Sequence, residues 1–302
     1  MKAQFACAIV FGIMIMLAPR ASATHSETRK APPPIPQEDS AVFFERTRSA
    51  ALPQSVGADT ALGAMHTDEL LASGDFMLSQ DAEAEHYLNA LLRQVLAVMP
   101  LGAFVSGDFR LYLGRTRSKN PRETPAAWSF PGGAIFVEEG FFAAADDEAA
   151  LVHLLAHEAA HSILRHQMRR IEFLRQPEIA PIIAWRQAVR SCAPADDACN
   201  AAFGKLAELQ AGLRELQEQE TDIMAMETSI AMGYRPQATM AFFKKLYPEK
   251  LRHTAAWLVR QRIDPNKGYA FHLMDAAAYR RLHLRYADTY AAPPMPNPFL
   301  RK

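Results

Sequence analysis

The segment HEAAH, residues 157–161, lies inside an apolar stretch that covers residues 151–164. On an α-helix, His157 and His161 stand one turn apart on the same face, about 6 Å apart along the axis. Two imidazoles at this spacing can share one Zn²⁺, and Glu158 beside them can hold a metal-bound water as a general base. The segment therefore predicts an α-helix that carries part of a metal site.

A catalytic zinc ion needs a third protein ligand and an open fourth position. Two nearby histidines fail as third ligands on a straight helix. His153 lies about 12 Å along the axis from His161. His166 lies about 13 Å along the axis from His157. Because Zn–N bonds measure only about 2.0–2.1 Å, we expect the third ligand on another element.

A second helix is predicted across residues 201–233, where leucines at positions 206, 209, 213 and 216 repeat at helical spacing. Glu218 and Asp222 share one face of this helix, at i and i+4. One carboxylate can bind the metal while the other accepts the outer N–H of a ligating histidine. Such a pair alone is more often a solvated acidic face, but HEAAH in the same chain favours the metal site.

Together these motifs resemble the zinc metallopeptidases of peptidase family M48. The family pattern is HExxH, another histidine a few residues later, and ExxAD on a later helix. In this chain the pattern is HEAAH with His166, followed by residues 218–222, EQETD. Upstream, residues 130–140 (FPGGAIFVEEG) resemble the strand and turn that precede the metal helix in the family. The resemblance extends over roughly residues 70–285.

The resemblance implies an α+β fold, mainly α, in which a zincin-type metallopeptidase domain has a small sheet beside the HExxH helix. It implies one Zn²⁺ per chain, bound by His157, His161 and Glu218, with Asp222 supporting a ligating histidine. Glu158 is then the catalytic residue, which activates a zinc-bound water for hydrolysis of peptide bonds.

The chain departs from the family pattern at three places. Thr221 stands where the family usually has Ala, and residues 127–130 (AWSF) replace the family's Asn-Ala-Phe before Pro-Gly-Gly. The family's later His-Pro segment with a following Arg is matched only by His272 with Arg280 and Arg281, without the Pro and at a different spacing. These three residues are candidates for stabilising the transition state or for regulation, and a surface position on a C-terminal helix is the alternative.

A strand is predicted at residues 133–137, just before the metal helix. We expect Gly133, Ala134, Ile135 and Phe136 to form an accessible edge, to which a substrate peptide adds as an extra strand through main-chain hydrogen bonds. An ordinary half-buried strand is the alternative. A helix is also predicted at residues 81–98, a strand near residues 110–114, and a metal helix from residue 146 toward residue 175.

The N-terminus predicts export. Lys2, the short apolar run of residues 5–17, and Ala21-Ser22-Ala23 are typical of a secretory signal peptide that is cut after Ala23. We expect residues 1–23 to be this signal peptide. No later stretch is predicted to cross a bilayer, so the sequence favours the periplasm, with association with the outer membrane left open.

The rest of the chain divides by composition. Residues 24–40 are a Pro-rich linker, residues 41–290 form the metallopeptidase domain, and residues 291–302 are a Pro-rich C-terminal tail. Once Cys7 is removed with the signal peptide, we expect Cys192 and Cys199 to form a disulfide in an oxidising compartment.

The charge balance bears on partners. Lys and Arg number 33 and Asp and Glu number 33, so a formal net charge of +0 gives no electrostatic reason to expect nucleic acid as a partner. Expected substrates are extended or misfolded proteins of the cell envelope, in a quality-control role. The sequence does not indicate the oligomeric state.

Two other functions use the same residues. Glu158 with His161 and Glu83 with His86 both form ExxH, as a carboxylate-bridged di-iron helical bundle requires, but such a bundle has no use for His157. A non-catalytic or latent, chaperone-like factor that binds zinc would keep the fold. Glu158 argues against this second alternative, because a purely structural zinc site does not need it.

Overall fold

A computed structural model of the chain describes residues 32, 34, 56–101, 104, 108–117, 125–189, 196–235 and 276–290. The predicted signal peptide and C-terminal tail lie outside the described residues, as does nearly all of the linker. The described part is mainly helical, with one small mixed sheet. Its helices are α1 (Val56–Ser73), α2 (Ala82–Val98), α3 (Gly140–Ala144), α4 (Glu148–Ile163), α5 (His166–Arg175), α6 (Ala180–Val189), α7 (Asp197–Ala231) and α8 (Ala276–Tyr290). Its strands are β1 (Phe76–Leu78), β2 (Arg110–Thr116), β3 (Ala127–Ser129) and β4 (Ala134–Glu138), with a 3-10 turn at Pro131–Gly133 between β3 and β4.

The sheet has the strand order β1-β2-β4-β3. β2 and β4 are parallel, with Leu111 opposite Ile135, whereas β1 and β3 run antiparallel to their neighbours. β4 is therefore paired on both sides, and β3 is the edge strand on its side of the sheet.

The prediction that residues 133–136 form an accessible edge is wrong. β2 and β3 occupy both sides of β4, and the side chains of Ile135 and Phe136 are fully buried. Gly133 lies in the turn before the strand, and Ala134 begins the strand. The edge nearest the metal helix is formed instead by residues 127–129.

The sheet separates two apolar layers. On one face, Leu111 packs in the largest core cluster with Leu91 of α2 and Leu155 of α4. On the other face, Phe136 packs in a smaller cluster with Leu70 of α1. Because successive side chains of a strand point to opposite faces, one strand can serve both layers.

Helix α1 lies directly against the turn that joins β3 to β4. A Cβ atom added at Gly63 would lie 1.7 Å from the carbonyl oxygen of Pro131, so this approach requires glycine. Gly132 has a φ of 78°, and a Cβ atom there would lie 2.4 Å from the Cα of Thr60. The contact fixes the turn, and with it the end of the edge strand, against α1.

The metal helix is shorter than predicted. It begins after Asp147, as the acidic residues there indicated, but α4 ends at Ile163 and a new helix starts at His166. Between them Arg165 adopts a left-handed conformation (φ 55°), which is uncommon for a residue other than glycine. Its guanidinium binds Asp59 of α1 through two hydrogen bonds of 2.6 and 2.8 Å, and this ion pair stabilises the break.

The first turn of α4 contains a buried carboxylate. Glu148 is fully buried, and the hydroxyls of Tyr87 and Tyr234 donate hydrogen bonds to its two oxygens. Burial and the contact with Glu148 raise the pKa of both tyrosines, so they remain donors. The three side chains connect α2, the beginning of α4 and the segment just after α7.

Replacing Tyr234 with phenylalanine should destabilise the fold. Tyr234→Phe leaves one oxygen of buried Glu148 without its donor, which costs about 1–3 kcal/mol of unfolding free energy. Urea unfolding monitored by circular dichroism measures the loss. Thr60→Ala removes an exposed hydroxyl that bonds within α1, and it should change the free energy by less than about 0.5 kcal/mol. Equal stability of Tyr234→Phe and the parent protein would contradict the role of this hydrogen bond.

Candidate metal centre

Three side chains from two helices converge at one point. The Nε2 atoms of His157 and His161 on α4 lie 3.2 Å apart. On α7, Glu218 places one carboxylate oxygen 3.5 Å from Nε2 of His157 and the other 3.7 Å from Nε2 of His161. A tetrahedral ion with bonds of about 2.0–2.2 Å separates its ligand atoms by about 3.3–3.6 Å. The three groups therefore fit a single metal ion.

The position of Glu218 follows from the packing of α7 on α4. Thr221 and Ala225 lie on the buried side of α7, which packs against α4. Glu218 and Asp222, one turn apart beside them, both reach His157 of α4. The side chain of Glu218 is 44% exposed, whereas those of His157 and His161 are each 13% exposed. The centre is thus enclosed by protein on the histidine side and accessible to water beside Glu218.

Asp222 supports His157 from the outer side. Its Oδ1 atom lies 2.9 Å from Nδ1 of His157 and 3.9 Å from Nε2 of His153. Burial alone would raise the pKa of Asp222, but the interactions with the two histidines outweigh it and hold that pKa well below its usual range. The ionised carboxylate accepts the Nδ1–H of His157, which directs the Nε2 lone pair toward Glu218.

His153, His157 and Asp222 form a second group that could hold a metal. Two of its atoms, Nδ1 of His157 and Oδ1 of Asp222, are 2.9 Å apart. This is a hydrogen-bond distance and is shorter than the roughly 3.3 Å expected between two ligands of one tetrahedral zinc. We therefore interpret this group as the hydrogen-bonded support of His157.

His166 contacts the candidate centre in a way that the sequence did not predict. Its Nδ1 atom lies 2.9 Å from Nδ1 of His161, and its Nε2 atom lies 3.0 Å from Glu220. On a straight helix, His166 could be considered only as a possible ligand. The break at Arg165 instead brings it against the outer nitrogen of His161. The extra histidine of the family pattern was the one signal that could have drawn attention to it.

The carboxylate of Glu158 is joined to the edge strand. Glu158 is buried, and its Oε2 atom accepts a hydrogen bond of 3.2 Å from the hydroxyl of Ser129, at the end of β3. A small cavity with room for about one water opens beside this contact. Its lining comprises Asp59, Ser129, Pro131, His161, Ser162, Arg165, Gln167 and Met168. Glu158, His161 and the end of the edge strand therefore lie together.

Thr221, the departure from the family's alanine, is accommodated without strain. It is fully buried, and the single proton of its hydroxyl is shared between the main-chain carbonyls of Gln217 and Glu218, at 3.1 and 2.8 Å. The same oxygen lies 3.5 Å from Nε2 of His157. The hydroxyl is therefore satisfied within its own helix.

Other candidates lie elsewhere on the molecule. Arg281 forms an ion pair of 2.8 Å with Glu83 at the beginning of α2, with 58% of its side chain exposed, and Arg280 is exposed on the same helix. The structure therefore does not support a transition-state role for either arginine. Because Glu83 pairs with this arginine and His86 is exposed, it does not support the di-iron alternative either.

Two further predictions depend on residues outside the described part. His272 lies outside the described residues, and its role stays a prediction. Cys199 is buried in the first turn of α7, whereas Cys192 lies outside the described residues, so their pairing also stays a prediction. Within the described ranges, none of the helices combines the length and apolar character needed to cross a membrane.

Comparison with known proteins agrees with the geometry. The sequence matches Peptidase family M48 over residues 117–289, more than half of its 302 residues. It is 28% identical over 205 residues to the beta-barrel assembly-enhancing protease of Yersinia pestis, and 27% identical over 205 residues to that of Escherichia coli K12. Each alignment covers 66% of this chain but only 39% of the relative. The mitochondrial metalloendopeptidase OMA1 of Schizosaccharomyces pombe is 33% identical over 102 residues, 34% of this chain and 28% of that protein.

The chain therefore belongs to peptidase family M48, a family of zinc metallopeptidases. Within that family it is similar to the beta-barrel assembly-enhancing proteases, of whose length it spans about two fifths.

Loss of the Asp222 carboxylate should weaken metal binding without removing a metal ligand. In Asp222→Ala, His157 loses the acceptor that orients it, and zinc affinity should fall roughly 10–100-fold. Competition with a chromogenic chelator measures this affinity. Glu215→Ala, an exposed carboxylate on the same helix, is the matched control and should bind zinc like the parent protein. Unchanged zinc affinity in Asp222→Ala would show that the hydrogen bond to His157 does not support the site.

Proposed function

We propose that the protein is a zinc-dependent metalloendopeptidase of the cell envelope that hydrolyses peptide bonds in extended or misfolded proteins. The observation that carries this proposal is the convergence of His157, His161 and Glu218 at the distances of one metal ion, with Glu158 on the same helix. Two imidazoles and one carboxylate, with a side open to water, are the ligands of a catalytic rather than a structural zinc site. Membership of a zinc metallopeptidase family supports the choice of metal.

Each side chain of the centre has a separate role in the proposed reaction. Zinc held by His157, His161 and Glu218 would make a bound water a stronger acid and would polarise the substrate carbonyl. Glu158 takes the proton of the attacking water and transfers it to the leaving amine. Ser129 donates to one oxygen of Glu158 and so holds the carboxylate in one orientation. Asp222 keeps His157 in the tautomer that a ligand requires.

The edge strand β3 is the proposed site for the substrate backbone. The Ala126 carbonyl accepts a hydrogen bond of 3.0 Å from the N–H of Glu138 in β4. Because main-chain groups alternate in direction along an antiparallel strand, the N–H and C=O groups of Ala127 and Ser129 point away from β4. An extended peptide can pair with these groups and pass directly beside Glu158. Such pairing tolerates many sequences but requires a locally unfolded chain.

The cellular setting is inferred from two sources. Residues 1–23 are predicted to be a signal peptide, and the relatives named above include proteases whose name refers to assembly of beta-barrels. We therefore place the activity in the periplasm, acting on envelope proteins, with quality control as the role. A non-catalytic zinc-binding factor is less consistent with a buried Glu158 held by Ser129, because zinc binding alone does not need that carboxylate.

The proposed mechanism predicts that Glu158→Gln separates metal binding from catalysis. Glutamine keeps the shape of the side chain and leaves both histidines in place, but it cannot accept the proton of water. Zinc should remain near one ion per chain, while cleavage of an unfolded substrate such as casein should be abolished. Metal analysis and casein degradation, each with and without chelator, measure the two properties in the full chain without its signal peptide.

Either of two results would contradict this mechanism. Undiminished cleavage by Glu158→Gln would exclude Glu158 as the base. Zinc binding by the parent protein without any chelator-sensitive cleavage would instead favour the non-catalytic factor.

The proposed substrate strand is tested by Ala127→Pro. Proline removes the N–H that points away from β4, whereas the β3–β4 hydrogen bonds involve the neighbouring residues. KM for an unfolded substrate should rise several-fold, while zinc content stays the same. Ala127→Val keeps the N–H and a strand-forming side chain, and it is the matched control. Equal KM for the two variants, both with full zinc content, would exclude this edge as the substrate strand.

A further inference from the structure

A chain of hydrogen bonds extends outward from the second ligating histidine. Nδ1 of His161 lies 2.9 Å from Nδ1 of His166. Nε2 of His166 lies 3.0 Å from the Oε2 atom of Glu220, which also accepts a bond of 2.6 Å from Arg169. His166 is fully enclosed, with 1% of its side chain exposed. The two ligating histidines are thus supported differently, His157 by a carboxylate and His161 by an imidazole.

The directions of these bonds follow from metal binding at Nε2 of His161. A neutral imidazole bound through Nε2 carries its proton on Nδ1, so His161 donates to His166. Nδ1 of His166 is then an acceptor, and the proton of His166 must lie on Nε2. That N–H donates to Glu220, whose carboxylate is held by Arg169. One arrangement of protons therefore satisfies every bond in the chain.

The main chain at His166 is also fixed by a hydrogen bond. The side-chain amide of Gln217 on α7 donates to the main-chain carbonyl of His166 at 3.0 Å. The amide oxygen of Gln217 accepts a bond of 2.6 Å from Arg170. At the other end, the ion pair of Arg165 with Asp59 stabilises the break that returns the chain to the metal centre. Contacts from α1 and α7 thus place this ring.

We propose that His166 is a positioning residue for the metal ligand His161, and that Glu220 fixes the tautomer of His166. This inference rests on the proposed zinc site and adds a residue to it. His166 accepts the outer N–H of His161 and so keeps Nε2 of His161 directed at the metal. Glu220 accepts the Nε2–H of His166 and thereby makes Nδ1 of His166 a stronger hydrogen-bond acceptor.

The test compares His166→Leu with His166→Asn. Leucine removes the acceptor, and zinc affinity should fall roughly 10–100-fold, as for other losses of groups that orient a ligand. Asparagine places its Oδ1 near the position of Nδ1, can still accept from His161, and should restore most of the affinity. Competition with a chelator measures affinity, and the visible absorption spectrum of the Co²⁺-substituted protein reports the ligand geometry. The spectrum should change in His166→Leu and return toward the parent spectrum in His166→Asn. Glu220→Ala should lower affinity in the same direction, by a smaller factor.

A packing control separates positioning from general stability. Phe173 lies on the same helix as His166 and packs in a buried cluster with Leu206 and Leu209 of α7. Phe173→Leu should lower the unfolding midpoint while leaving zinc affinity and the Co²⁺ spectrum unchanged. If it reproduces the effect of His166→Leu at an equal loss of stability, His166 acts only through packing and the inference is overturned.

Measurements on the parent protein in the same series distinguish failure of the inference about His166 from failure of the proposed function. If it binds one zinc and cleaves casein while His166→Leu matches it in affinity and spectrum, the inference about His166 fails and the proposed function stands. If the parent protein binds neither zinc nor Co²⁺, both are overturned.

Discussion

Helices α4 and α7 pack directly against each other, and the candidate metal centre lies within their contact. His157 directs one ring nitrogen to Asp222 and the other toward Glu218, two carboxylates that are one turn apart on α7. A single helix crossing therefore sets both the ligand geometry and the orientation of a ligand. Burying polar rings is unfavourable unless they are hydrogen-bonded, so the same contacts that prepare the site also compensate for its burial.

Strand β3 and helix α1 provide further contacts that position the centre. Ser129 joins the edge strand to Glu158, and the turn after that strand is held by the close approach of α1 at Gly63. α1 also supplies Asp59, which binds Arg165 at the end of the metal helix. One helix near the start of the described chain thus positions both the edge strand and the segment that carries His166.

The parts of the site that depend on short-range spacing could be predicted from the sequence. HEAAH and the pair Glu218 and Asp222 each place their side chains by helical periodicity. The structure brings His157, His161 and Glu218 to distances that fit one metal ion, with Asp222 hydrogen-bonded to His157. The edge strand could not be predicted in this way. Whether residues 127–129 or 134–138 lie outermost depends on pairing with β2, and no local pattern encodes that order.

The end of the metal helix was missed for a similar reason. No glycine or proline marks the break at Arg165, and its partner Asp59 is 106 residues away in the chain. The contact between His166 and His161 exists only because of that break. Family resemblance pointed to the histidine, but its position required the tertiary structure.

The measurement that tests this account most directly is the zinc content of Glu218→Ala beside that of the parent protein and of Glu215→Ala, after dialysis against a weak chelator. The account predicts about one zinc ion per chain in the parent and in Glu215→Ala. It predicts that Glu218→Ala loses zinc and peptidase activity together, because one of three protein ligands is gone. Full zinc occupancy in Glu218→Ala would contradict the assignment of the metal centre.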